Sequence, residues 1–131
     1  MANPTEGRVT ALGGVFFKAS DPQRMYQWYE QHLGLRQEEG GVFFRWREKE
    51  ADTPGTTVWA IFKSDSKYFD PSKSPFMLNY RVDNLDALLT RVRAQGVEVA
   101  EQREDSAYGR FAWITDPEGN RIELWEPPKG S

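Results

Sequence analysis

The feature that most constrains this chain is an internal repeat. Val15, Phe17, Ala19 and Asp21 fall on Leu78, Tyr80, Val82 and Asn84 at a constant offset of 63 (78 minus 15). Gly34-Leu35 then meets Gly96-Val97, and Val58-Trp59-Ala60 meets Ile122-Glu123-Leu124 at an offset of 64 (123 minus 59). Strand, helix, stop glycine and closing strand agree in order, which argues for a duplicated unit. Each unit spells β-α-β-β-β.

The local signals support that order. Val9 to Ala19 is apolar and β-prone, and Ser20-Asp21-Pro22 supplies an N-cap followed by proline at a first helical position. Met25, Tyr26, Trp28, Tyr29 and Leu33 recur at helical spacing before Gly34, predicting a helix from about Pro22 to His32. Val42 to Trp46 and Thr56 to Phe62 read as strands, with a shorter strand expected around Leu35 to Glu38. Ser64 to Pro75, rich in Ser, Lys, Asp and Pro, reads as a linker whose only large side chains are Tyr68 and Phe69. The pattern then restarts. Phe76 to Val82 is a strand, Asn84 caps a helix, and Leu85, Leu88, Leu89 and Val92 mark its buried stripe. Val97 to Gln102, Gly109 to Thr115 and Asn120 to Glu126 complete the second unit. The expected organisation is one domain over residues 1–131, with repeat one at about 9–63, a linker at 64–75 and repeat two at about 76–127.

Composition narrows the function classes. Lys and Arg number 17 against 20 Asp and Glu, a net charge of -3 that offers a phosphate backbone no broad positive face, so no nucleic-acid partner is expected. With 0 Cys there is neither a disulfide framework nor a thiolate. Met1 to Arg8 lacks the apolar core of a signal peptide, and no run of about 18 apolar residues appears. A cytoplasmic protein without a membrane partner is the default expectation.

Period-two geometry assigns faces. Leu78, Tyr80 and Val82 point one way, under the helix, so Met77, Asn79 and Arg81 point the other. The repeat extends this second face to Gly14, Phe16 and Lys18, to Thr57, Trp59, Ile61 and Lys63, and to Arg121, Glu123 and Trp125. Aromatics mixed with isolated charges suit a small-molecule cavity. The competing reading is a solvated sheet face.

Three stretches carry a family resemblance: Gly14-Val15-Phe16-Phe17-Lys18-Ala19-Ser20-Asp21, Trp28-Tyr29-Glu30-Gln31-His32-Leu33-Gly34-Leu35, and Tyr108-Gly109-Arg110-Phe111-Ala112-Trp113 with Asp116-Pro117-Glu118-Gly119-Asn120-Arg121-Ile122-Glu123-Leu124. Together they resemble the glyoxalase, bleomycin-resistance and extradiol-dioxygenase group, the vicinal oxygen chelate superfamily. The resemblance spans about Val9 to Pro127. It implies an α+β fold in which two βαβββ repeats form a cupped mixed β-sheet with helices on the outside, and it implies a homodimer. It does not imply one reaction, because such a fold carries lyases, epimerases, dioxygenases, antibiotic-modifying enzymes and drug-binding proteins. In metal-using members it implies ligands at positions that fall here on Gly14, Trp59, Met77 and Glu123. One carboxylate and a thioether fall short of the roughly three N, O or S ligands a catalytic site needs, so no cofactor is expected.

Glu123 is the candidate catalytic group: flanked by Trp59, Met77 and Trp125, its carboxyl would be raised by desolvation and fit a general base. The alternative is an ion pair with Arg81, Arg121 or Lys18. His32, the single histidine, sits where an imidazole meets terminal helix carbonyls, which leaves no Ser-His-Asp or Cys-His arrangement. Three functions remain. In the first, a metal-independent protein binds an aromatic or apolar small molecule through Phe16, Trp59, Ile61, Met77, Asn79, Trp113 and Trp125, with Lys18, Arg81 and Arg121 orienting an acidic group. The second is a lyase, isomerase or dioxygenase using Glu123 as acid or base, or as ligand to a divalent metal. The third is a dimeric interaction module without a ligand.

Overall fold

The computed structural model describes residues 6–48 and 53–129. Its elements run β1 (Arg8–Ala19), α1 (Pro22–Leu33), β2 (Val42–Glu48), β3 (Thr53–Lys63), β4 (Phe76–Asp83), α2 (Leu85–Ala94), β5 (Glu98–Ser106), β6 (Gly109–Thr115) and β7 (Arg121–Glu126). Both helices begin where the sequence supplies an acceptor. The Asp21 side chain accepts from the Arg24 N–H at 3.2 Å, and Asn84 Oδ1 accepts from the Ala87 N–H at 3.3 Å. Gly34, at φ 72°, ends α1 in the left-handed conformation that a residue without Cβ adopts freely.

All seven strands form one mixed sheet in the order β2-β3-β1-β4-β7-β6-β5. β1 and β4 meet antiparallel at its centre, and each is flanked by a parallel partner, β3 beside β1 and β7 beside β4. This is the α+β architecture that the repeat and the resemblance predicted. The short strand expected at Leu35 to Glu38 is reduced to a single bridge between Glu38 and Gly41. The chain doubles back there in a tight turn, with Glu38 and Gly41 exchanging both backbone hydrogen bonds, so it enters β2 without first building a ladder.

Three apolar clusters hold the fold. Under α1, Tyr26, Val42 and Ile61 pack with Phe17, Met25, Leu35 and Trp59. Under α2, Leu85, Leu88 and Leu89 pack against Val82, Ala112 and Leu124. Phe17 and Tyr80 therefore face the helices from β1 and β4, and period two turns Phe16, Met77 and Asn79 to the opposite face. There the third cluster forms: Phe16, Ala60, Met77 and Trp113, with Phe69 from the linker. No helix among the described residues is long and apolar enough to cross a membrane.

Candidate functional site

The face turned away from the helices holds a buried carboxylate. Asn79 of β4 stands opposite Glu123 of β7 in the parallel register, and Glu123 stands opposite Trp113 of β6. Side chains opposite one another share a face, so these three converge. Glu123 is 2% exposed. Its Oε2 accepts from the Tyr68 O–H at 2.7 Å and from Trp113 Nε1–H at 3.2 Å, while Oε1 accepts from Asn79 Nδ2–H at 2.9 Å. Burial pushes the Glu123 carboxyl above the usual carboxylate range, opposed by the three hydrogen bonds and by the positive charge of Arg121. Tyr68 is pushed well above the usual phenol range by its own burial and by the negative charge of Glu123.

The linker supplies Tyr68 and also Phe69, which is fully buried. Phe69 closes over Phe16, Ala60, Met77 and Trp113, and Phe62 stacks on Tyr68 at an interplanar angle of 14°. One end of the cup is thus filled by protein. The other end remains open as a hollow of about 670 Å³ that reaches Asn79 and Glu123 and is walled by Phe16, Phe43, Phe111 and Trp125, with Tyr108 above. That volume lies within the range of small-molecule sites. Phe111 and Trp125 form a stacked pair, their planes 11° apart and their centroids 6.3 Å apart. Trp125 Nε1–H donates to the Tyr108 carbonyl at 2.7 Å, which fixes the ring.

Most residues expected on this face are there. Phe16, Met77, Asn79, Trp113, Glu123 and Trp125 gather as the alternation required, although Met77 and Trp113 are buried beneath the linker aromatics. Trp59 and Ile61 do not join them. Trp59 packs edge-on against Phe17, Tyr26 and Tyr29, and Ile61 lies in the same cluster under α1. The sheet keeps the offset of 63 throughout: Val15 pairs with Trp59 and Leu78 with Ile122, so Trp59 corresponds to Ile122 (122 minus 59) and Ala60 to Glu123 (123 minus 60). A slip of one residue turns a whole strand over, and Val58 and Ala60 take the cup-facing positions instead.

The three cations expected to orient an acidic group each lie over a ring. Lys18 Nζ is 5.1 Å from the centroid of Phe69, the Arg121 guanidinium 4.8 Å from that of Trp113, and the Arg81 guanidinium 5.7 Å from Trp46 and 5.9 Å from Trp125. They brace the aromatic walls. Phe111 and Phe43 belong to the site without having been singled out for it, whereas the linker's Tyr68 and Phe69, which the sequence left as either a cover for the cavity mouth or part of a dimer interface, lie over the cup. Phe111 was within reach of sequence reasoning, because it lies two residues before Trp113 on the same strand face.

The family's metal does not fit this donor set. Its positions carry Gly14, Ala60, Met77 and Glu123 once the register is corrected. Glu123 is surrounded by O–H and N–H donors that need its lone pairs. Among the described residues no three His, Cys, Asp or Glu side chains come together.

Sequence and structure comparisons extend over nearly the whole chain. A family model described as the Glyoxalase/Bleomycin resistance protein/Dioxygenase superfamily matches residues 12–124. Methylmalonyl-CoA epimerase from Mycobacterium tuberculosis is 26% identical, with 98% of this chain and 93% of that one covered at a TM-score of 0.59. A Streptomyces coelicolor methylmalonyl-CoA epimerase variant in complex with 2-nitronate-propionyl-CoA is 15% identical, covering 92% and 99% at 0.65. An NAD-dependent benzaldehyde dehydrogenase from Legionella pneumophila is 14% identical, covering 88% and 98% at 0.57. The last two bear on the fold alone. None of the curated proteins matches the sequence. With 113 residues matched (12 through 124) and the seven-stranded cup in place, the chain belongs to the glyoxalase/bleomycin resistance protein/dioxygenase superfamily.

Proposed function

We propose that this chain binds a planar, largely apolar small molecule in the hollow beside Glu123, without a metal. The observation that carries this reading is the stacked Phe111–Trp125 pair lining an open volume of about 670 Å³. A planar guest stacked there buries apolar area against rings already held in place, which lowers the ordering cost of binding. Titration of the protein with a panel of planar aromatic compounds, followed by tryptophan fluorescence, should give saturable quenching at one site. Phe111→Ala should weaken the best compound by roughly 2- to 10-fold, the size of an aromatic pair contact. A panel without any quencher, or a Phe111→Ala protein that binds unchanged, would count against the hollow as the site.

A second reading has one observation in its favour. Glu123 is a buried carboxyl that burial holds above its ordinary range, as suits a group that takes and returns a proton. Several of the solved structures similar to this chain are methylmalonyl-CoA epimerases. Incubation with methylmalonyl-CoA in deuterated water is the test: deuterium at C2 with the wild type and none with Glu123→Gln would favour an isomerase over a binding protein.

A further inference from the structure

The hollow lies between the two ends of the sheet. β2 is one edge strand and β5 the other, yet Phe43 and Arg45 of β2 line the same space as Phe111 of β6 and Tyr108 of the β5–β6 turn. A sheet curled on itself brings such distant strands together. The mouth therefore has two rims, and they are built differently.

The β2 rim is braced. The Arg45 guanidinium lies 5.6 Å from the centroid of Phe43 and pairs bidentately with Glu38 at 2.9 and 3.1 Å, so a held cation rests on the Phe43 ring. At the other rim the main chain is pinned. The Tyr108 carbonyl accepts from Trp125 Nε1–H at 2.7 Å, and the Tyr108 N–H donates to Ser106 Oγ at 3.1 Å. Gly109, at φ 123°, lets the turn settle this closely: a Cβ there would lie 2.5 Å from the Glu126 carbonyl oxygen and 2.8 Å from Trp125 Nε1. Tyr108 itself is 77% exposed. An exposed side chain changes rotamer on the picosecond to nanosecond scale, so a fixed backbone here carries a freely turning ring.

We propose that Tyr108 is the specificity-determining clasp of the hollow: its ring folds over a flat guest lodged beside the Phe111–Trp125 pair and holds it between the two ends of the sheet. This rests on the binding reading above and names the residue that sets how long a guest stays. Closure needs only side-chain rotation, because Trp125 already holds the turn, and so little ordering cost opposes it. The guest enters through an open mouth, and the ring contact forms afterwards. Tyr108 therefore acts on dissociation and leaves association as it was. The contact is made by the ring, so the phenol oxygen is dispensable.

Stopped-flow tryptophan fluorescence with two flat probes, 2-naphthol and acridone, gives both rates for the wild type, Tyr108→Ala and Tyr108→Phe. For each probe that binds the wild type, Tyr108→Ala should release it roughly 2- to 10-fold faster, the size of one aromatic contact, at an unchanged association rate. Tyr108→Phe should keep the slow wild-type release. All three proteins should share one urea midpoint, since the ring is mostly in solvent; a lowered midpoint in Tyr108→Ala would make the residue structural and overturn the clasp. Release from Tyr108→Ala no faster than from the wild type, or release from Tyr108→Phe as fast as from the alanine variant, also overturns it and leaves the hollow standing as an open site. If neither probe binds the wild type, the clasp and the binding reading fail together.

Discussion

At Glu123 burial and hydrogen bonding pull in opposite directions, and burial prevails. The folded chain therefore holds this proton more tightly than the unfolded chain, whose glutamates titrate near 4.3. The sign follows from linkage: stability from this group is complete below about pH 4 and declines as pH rises towards the folded-state pKa. Glu123→Gln lacks that decline. Its unfolding free energy in urea, relative to the wild type, should grow as pH is raised from 4 towards 8; a wild type that gains on the variant over that range would refute the desolvation argument. Gly13→Ala, whose Cβ would fall on Asn79 Oδ1, should destabilise by about 1–3 kcal/mol, the usual cost of overpacking, read from the urea midpoint. At this scale the sequence was legible where alternation had a firm anchor. The closing run Arg121-Ile122-Glu123-Leu124-Trp125 fixes its own phase, and Leu78-Tyr80-Val82 fixes that of Asn79. Trp59 was misread because Val58-Trp59-Ala60 aligns by composition with Ile122-Glu123-Leu124, one residue off the register that the sheet adopts. That Asn79 Oδ1 is buried without a partner was not legible at all, since it depends on how close Gly13 comes.

Among the elements, the linker departs furthest from its sequence signature. Ser, Lys, Asp and Pro mark residues 64–75 as a loop, and so they are, yet Phe69 is as buried as any core residue. Phe69→Ala should cost about 3–5 kcal/mol, as expected for a large aromatic removed from a packed interior, measured by thermal or urea unfolding. A loss below 1 kcal/mol would mean that the linker merely rests on the cup. Two isolated aromatics in a polar stretch were the only hint in the sequence. Whether such residues cover a cavity or meet another chain is decided by tertiary contacts, here the Tyr68 O–H on Glu123 and the Phe69 ring on Met77 and Trp113. The helices were read to within a residue or two, because caps and stop glycines are local devices.

Over the whole molecule, the β1–β4 seam makes one sheet of two similar halves, and α2 is tied to β7 by the Leu85 N–H donating to Glu126 Oε1 at 2.6 Å. A continuous sheet with no gap between the halves should unfold in one step. Far-ultraviolet dichroism and tryptophan fluorescence should then give the same urea midpoint, and separate midpoints would show halves that melt independently. The fold class was readable because duplication, capping and alternation all pointed to it. The strand order was not, because period and propensity say which face a residue takes but not which strand lies alongside.

The offset of 63 matches Phe16 with Asn79 and Ala60 with Glu123, so a cup built from the strands alone would have two bays of related outline. Residues 64–75 occur once, and their Tyr68 and Phe69 fill the part of the cup lined by Phe16, Ala60, Met77 and Trp113 and reach Glu123. The size of the guest is thereby written in the connector. Exchanging that short stretch would resize the chamber, or create a second one, while every strand kept its place.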